Sequence, residues 1–134
     1  MAILKGVRDM YKKIELGGKP LELQSNAATP RVYRSIFNRD LFKDFTAIDT
    51  EALGAGSSLE TLDLIKRLAF TLNIQATREF RSYYGKLSET DFVEWLSQYE
   101  DDDFYDPEKL IDIIAVWQKS ARTSSEAKNQ ASPQ

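Results

Sequence analysis

Apolar positions along the chain recur with different periods, and each change of period marks an element. Ile14, Leu16, Leu21 and Leu23 alternate with polar residues on either side of Gly17-Gly18, which predicts a β-hairpin over 13–24 with the glycines supplying positive φ in its turn. Pro20 has no N–H to give to a ladder and is expected where its strand leaves the turn or faces an edge. Two strands alone are marginal, so one face of the hairpin has to pack on helices.

Helical spacing follows. Thr29 is a candidate cap, Pro30 suits a first helical position, and Val32, Tyr33, Ile36 and Phe37 form one face, predicting a helix over 30–37 that Asn38 ends in the left-handed conformation. Asp40 then caps a short helix carrying Leu41, Phe42 and Phe45, and the Gly/Ser-rich stretch 50–58 connects it to the next element. Leu59, Leu62, Ile65, Leu68, Ala69 and Leu72 make the clearest amphipathic stripe, predicting a helix over 59–76. Residues 78–85 fit either one more helical turn or a loop closed by Gly85. Ser88 and Asp91 have the spacing of a capping box and open a helix over 89–99 with Phe92, Trp95, Leu96 and Tyr99 on its apolar face. Asp106-Pro107 repeats the cap-then-proline signal before Leu110, Ile111, Ile114, Val116 and Trp117, so the final helix should reach about Lys119. The expected fold is α+β and mainly α-helical: an N-terminal β-hairpin packed on four to five helices. One globular domain over 13–119 is flanked by an N-terminal extension, 1–12, and a flexible polar tail, 120–134, whose sequence is small, polar and aperiodic.

Composition changes the picture mainly by exclusion. With no His and no Cys among 134 residues, the chain cannot build a disulfide, a thiol nucleophile, a Cys/His zinc site or an imidazole base. Residues 1–118 hold 15 basic against 20 acidic groups, an acidic balance that disfavours nucleic acid as a partner. No apolar run has the length of a membrane span, and no secretory signal core stands near Met1, so a cytoplasmic protein is expected. The acidic run Glu100-Asp101-Asp102-Asp103 with Asp106 lacks the spacing and glycine of a calcium loop and reads as a solvated linker. Gly17-Gly18 is followed by no Lys-Ser/Thr helix and is a turn, not a phosphate loop. No catalytic, cofactor-binding or metal-ligating residues emerge, and an enzyme is not expected. Tyr33, Phe37, Phe42, Phe45, Phe92, Trp95 and Trp117 fall on inward faces. Five others, Phe80, Tyr83, Tyr84, Phe104 and Tyr105, lie in segments without clear periodicity, and at least one of each adjacent pair is expected at the surface as a partner-binding anchor.

The string Ala28 to Phe45, Ala-Thr-Pro-Arg-Val-Tyr-Arg-Ser-Ile-Phe-Asn-Arg-Asp-Leu-Phe-Lys-Asp-Phe, resembles the first helical motif of the tail assembly chaperones of long-tailed (siphovirus-type) phages and prophages of Gram-positive bacteria. The hairpin Ile14-Glu15-Leu16-Gly17-Gly18-Lys19 resembles that family's opening, Glu94-Trp95-Leu96 with its acidic sequel resembles its middle, and Trp117 leading into a Thr/Ser/Lys tail resembles its end. These blocks keep their order from about Ile14 to Lys128. Asn38 stands where the family commonly has Gly, and the segment after Leu72 lacks its usual Ala-Asp-Pro turn.

The resemblance implies an assembly factor of the host cytoplasm, without cofactors, that binds and solubilises the tape measure protein, assists tail tube polymerisation and is absent from the mature virion. It also implies contact with the tail tube protein through a longer, frameshifted form; Ala127-Lys128-Asn129 can be encoded with the slippery heptamer A AAA AAC. Self-association is compatible with such a role, whereas nucleic acid and membrane partners are not implied. Two other readings fit the same sequence: a tail completion or connector protein retained in the particle, and a small phage protein that binds a host regulator.

Overall fold

The computed structural model describes residues 10–48, 53–54 and 56–130, with side-chain surroundings to residue 121. Strands β1 (Met10–Leu16) and β2 (Lys19–Ser25) form an antiparallel hairpin, followed by α1 (Thr29–Phe37), α2 (Leu41–Thr46), α3 (Leu59–Thr77), α4 (Phe80–Tyr83), α5 (Glu89–Leu96), a 3-10 helix (Asp101–Tyr105) and α6 (Pro107–Gln130). The expected architecture of a hairpin packed on helices is the one observed.

The hairpin turns on Gly17 and Gly18 with φ of +59° and +76°, and Leu16 pairs with Lys19 on either side of them. Its first strand begins at Met10, ahead of the expected start at Lys13, because Met10 packs on the core and Lys12 pairs with Asp112 of α6 at 2.9 Å. Residues 10–12 therefore belong to the domain and not to an extension; residues 1–9 lie outside the described residues. Ile14, Leu16, Leu21 and Leu23 point inward, as the alternation requires, onto α3 and α6.

Most caps sit where the sequence places them. Asn38 ends α1 at φ 54°, the Asp40 carboxylate accepts from Phe42 N and Lys43 N, and Asp91 closes a capping box on Ser88 N at 2.8 Å. Asp106 Oδ1 accepts from Glu108 N at 3.0 Å at the start of α6. Thr29 is different: it is the first residue of α1, not its cap. Its hydroxyl is buried, accepts from Asn26 N and donates to Gln75 Oε1 at 2.7 Å, so a tertiary partner has claimed the group that a helix end would have used.

The core has two parts that share α3. One joins the hairpin, α2, α3, Phe104 and α6; the other joins Val32 and Ile36 of α1, Phe70 and Ile74 of α3, Tyr83 and Phe92, with Phe37, Trp95 and Leu96 packed against both. This explains why α3 buries more than one stripe: Leu64, Phe70 and Ile74 are as dry as the Leu62–Leu72 positions. Leu59, the first expected stripe residue, is 74% exposed because it opens the first turn. Phe42 also departs from its expected inward position, being 56% exposed with its ring edge-on to Trp117 at 5.2 Å.

Two helices end at other places than local pattern shows. The helix α5 stops at Leu96, short of Tyr99, while α6 continues past Lys119 to Gln130, through the first part of the stretch expected as tail. Helical hydrogen bonding needs no apolar face, and Ala, Arg, Glu, Lys and Gln in 121–130 all favour helix. Residues 131–134 lie outside the described residues.

Candidate functional site

Among the described residues no three metal-ligating side chains converge, and no helix is long and apolar enough to cross a membrane. The acidic run joins two helices with Glu100, Asp101, Asp102 and Asp106 exposed, as a solvated linker would, but it is also ordered. Residues 101–105 wind into a 3-10 helix whose Asp103 accepts from Glu100 N at 2.8 Å and whose Asp101 accepts from Lys66 Nζ at 3.0 Å and from the Tyr105 hydroxyl at 2.7 Å. The Tyr105 hydroxyl bond and then Lys66 hold the Asp101 carboxyl below the usual carboxylate range. The run is thus a docked element that carries Phe104 into the core beneath Lys66, whose ammonium lies 5.5 Å from the ring centre.

The five aromatics expected at the surface divide accordingly. Phe104 is 1% exposed, edge-on to Tyr99 at 5.8 Å, because the 3-10 turn points it under the hairpin; Tyr105 is half-buried on the same cluster. Tyr83 is 4% exposed, packed in the α1–α5 cluster, and burial pushes its phenol up from the ordinary value while a bond to Gln75 works the other way. Neither Tyr83 nor Phe104 is available to a partner. Phe80 and Tyr84 remain, 47% and 38% exposed.

These two are neighbours for a local reason. In the single turn of α4, positions i, i+3 and i+4 share one side, which puts Phe80, Tyr83 and Tyr84 together with Tyr83 at the inner margin. Phe80 stacks on Tyr84 with ring centres 4.7 Å apart and planes at 19°, and meets Tyr83 edge-on at 5.6 Å. Gly85 leaves the turn at φ +73°. Tyr84 lines an open groove of about 440 Å³ with Pro30, Arg31, Arg34 and Leu41, and Phe80 lines a second, of about 530 Å³, with Ala28, Gln75 and Arg78. The stacked pair is therefore a ridge between two grooves along α1 and the end of α3.

The ridge is flanked by positive charge. Arg31 and Arg34 are exposed on α1, and among the described residues neither has an ion-pair partner, whereas Arg39 at the same groove is tied to Asp44 at 2.7 Å. Such a surface offers aromatic contact area and two guanidinium donors. Sequence reasoning found Phe80 and Tyr84 but not the arginines; their signal was the i, i+3 spacing of Arg31 and Arg34 on the face of α1 opposite Val32 and Ile36.

No family model, curated protein or solved structure matches the chain.

Proposed function

We propose that this domain is a tail assembly chaperone of a siphovirus-type phage, acting in the host cytoplasm to hold the tape measure protein soluble while tail tube subunits polymerise around it. The reading draws on the ordered sequence blocks between Ile14 and Lys128 and on one structural observation above all: the exposed Phe80–Tyr84 stack between two grooves. A long helical chain with apolar stripes aggregates unless it is covered, and the cover must later be displaced. A small aromatic ridge suits that need, because micromolar contacts of about −8 kcal/mol, repeated along the client, permit both coverage and release. Arg31 and Arg34 would favour client segments whose apolar stripe is bordered by Asp or Glu. The chemistry is binding, not catalysis, and the tail tube protein would be recruited by a longer form made by frameshifting near Ala127-Lys128-Asn129.

Co-expression with the tape measure protein of the same phage tests the proposal. Wild type is expected to keep that protein soluble and to be missing from purified tails. The variant Phe80→Ala with Tyr84→Ala, which leaves buried Tyr83 in place, should stay folded and lose at least tenfold in client binding. Full activity of the folded variant would remove the ridge as the binding surface. A wild-type protein that stays in mature tails would instead mark a completion or connector protein.

A further inference from the structure

The hairpin has two long edges, and among the described residues only the β2 edge has a backbone group bonded by another element. Because the turn has two residues, Leu16 and Lys19 form the first hydrogen-bonded pair and the pairs alternate from there. The backbone N–H and C=O groups of Tyr11, Lys13 and Glu15 on β1, and of Glu22 and Gln24 on β2, consequently point away from the hairpin. On β2, Pro20 has no N–H to present and the Glu22 carbonyl accepts from Asn73 Nδ2 of α3 at 2.9 Å. On β1, no group among the described residues bonds the outward backbone of Tyr11, Lys13 or Glu15. An open groove of about 420 Å³ lies against Lys12, Lys13, Ile14 and Glu15, bordered by Pro20 of β2 and by Lys109 and Asp112 of α6.

An edge of this kind is completed by another strand. We propose that it takes β1 of a second copy, antiparallel, so that two hairpins form one four-stranded sheet about a twofold axis. The occupant follows from charge and register. Centring the pairing on Lys12, Lys13 or Glu15 sets that residue against its own like charge, which is destabilising. Centring it on Ile14 sets Lys13 against the partner's Glu15 twice over on the outer face, and Ile14 against the partner's Ile14 on the apolar inner face. Neither Lys13 nor Glu15 has an ion-pair partner among the described residues. Among the registers centred on residues 12–15 the pattern is thus self-complementary in one only, as an isologous interface requires. That register opposes residues 12–16 of each copy and needs nothing from the segment before Met10. Self-pairing of β1 is independent of what the Phe80–Tyr84 ridge binds.

Sedimentation velocity on the whole chain, from about 1 µM to about 1 mM, tests this, with far-UV circular dichroism to show that each variant is folded. Wild type should shift from monomer to dimer as concentration rises. Lys13→Glu, which turns both cross-copy pairs into like-charge pairs, should raise the dimer dissociation constant about tenfold. The exchange Lys13→Glu with Glu15→Lys should restore it to within about threefold of wild type, since the same pairs re-form with reversed sign. A wild type that stays monomeric throughout, or forms assemblies larger than a dimer, overturns the proposal. So does a dimer indifferent to Lys13→Glu, or one that the exchange fails to restore.

Discussion

Asp44 of α2 gathers three side chains: Tyr33 of α1, Arg39 of the turn that follows it and Arg67 of α3. It accepts from Arg39 Nε at 2.7 Å and Nη2 at 3.0 Å and from the Tyr33 hydroxyl at 2.8 Å, and Arg67 Nη2 lies 3.6 Å away while Arg67 Nε donates to the Tyr33 oxygen at 2.8 Å. Burial works against its charge, but the bonds from Arg39 and Tyr33 and the charges of Arg39 and Arg67 outweigh that and hold the carboxyl below its ordinary value. Burial also pushes the Tyr33 phenol up to about 12. A depressed carboxylate contributes stability above its unfolded pKa, and that contribution drains away as pH falls through the folded one. Asp44→Asn should therefore cost about 1–2 kcal/mol at pH 7, and the gap to wild type should narrow below about pH 4. Urea unfolding at pH 7 and pH 3 reads it; a gap that stays constant would place the cost in shape and not in charge. Tyr33 has the opposite sign: its raised pKa removes stability as pH climbs from about 10 toward the folded value.

At the scale of elements, the hairpin turn and the acidic 3-10 helix are locked together. A Cβ on Gly17 would lie 2.5 Å from Asp103 Oδ2, the oxygen that caps Glu100 N, and Gly17 already sits at φ +59°; at Gly18, φ +76°, nothing lies within 4 Å. Left-handed backbone alone costs an alanine about 1–2 kcal/mol. Gly18→Ala should lose about that much, and Gly17→Ala clearly more, because it also displaces the Asp103 cap. Thermal melts of the two variants side by side give the comparison, and equal losses would mean that the turn does not bear on the acidic helix. Signals that act within a few residues were readable in the chain: Asn38 as a left-handed stop, Asp40 and Asp106 as caps, Ser88 with Asp91 as a box. Those that depend on distant partners were not. Thr29 looked like a cap because nothing local reveals Gln75, and the docking of the Glu100–Asp103 linker went unseen because nothing local reveals Lys66.

The same division governs the site and the molecule as a whole. Periodicity identified the apolar faces of α1 and α5 but could not say that α3 serves two clusters, since Phe70 and Ile74 fall off the Leu62–Leu72 stripe until a second partner is known. It picked out Phe80 and Tyr84 as unassigned aromatics, and it picked out Tyr83 and Phe104 on the same footing, because which side of a single turn faces inward is decided by packing. The closure of the hairpin is the most distant of these relations: Lys12 and Asp112 meet across 100 positions of sequence, and Leu110, Ile113, Ile114 and Trp117 help to dry the face that Ile14 and Leu16 present. During synthesis that face stays wet until α6 has left the ribosome, so the domain completes itself only once Trp117 has emerged and pays its largest loop-closure entropy then. A chain stopped before Pro107 should be digested quickly under conditions in which the full chain yields a protease-resistant core; equal resistance would show that the hairpin and α3 fold without their C-terminal cover. Any polypeptide joined beyond Gln130 would emerge after the residues that finish the core, leaving a domain already able to fold whatever sequence follows it.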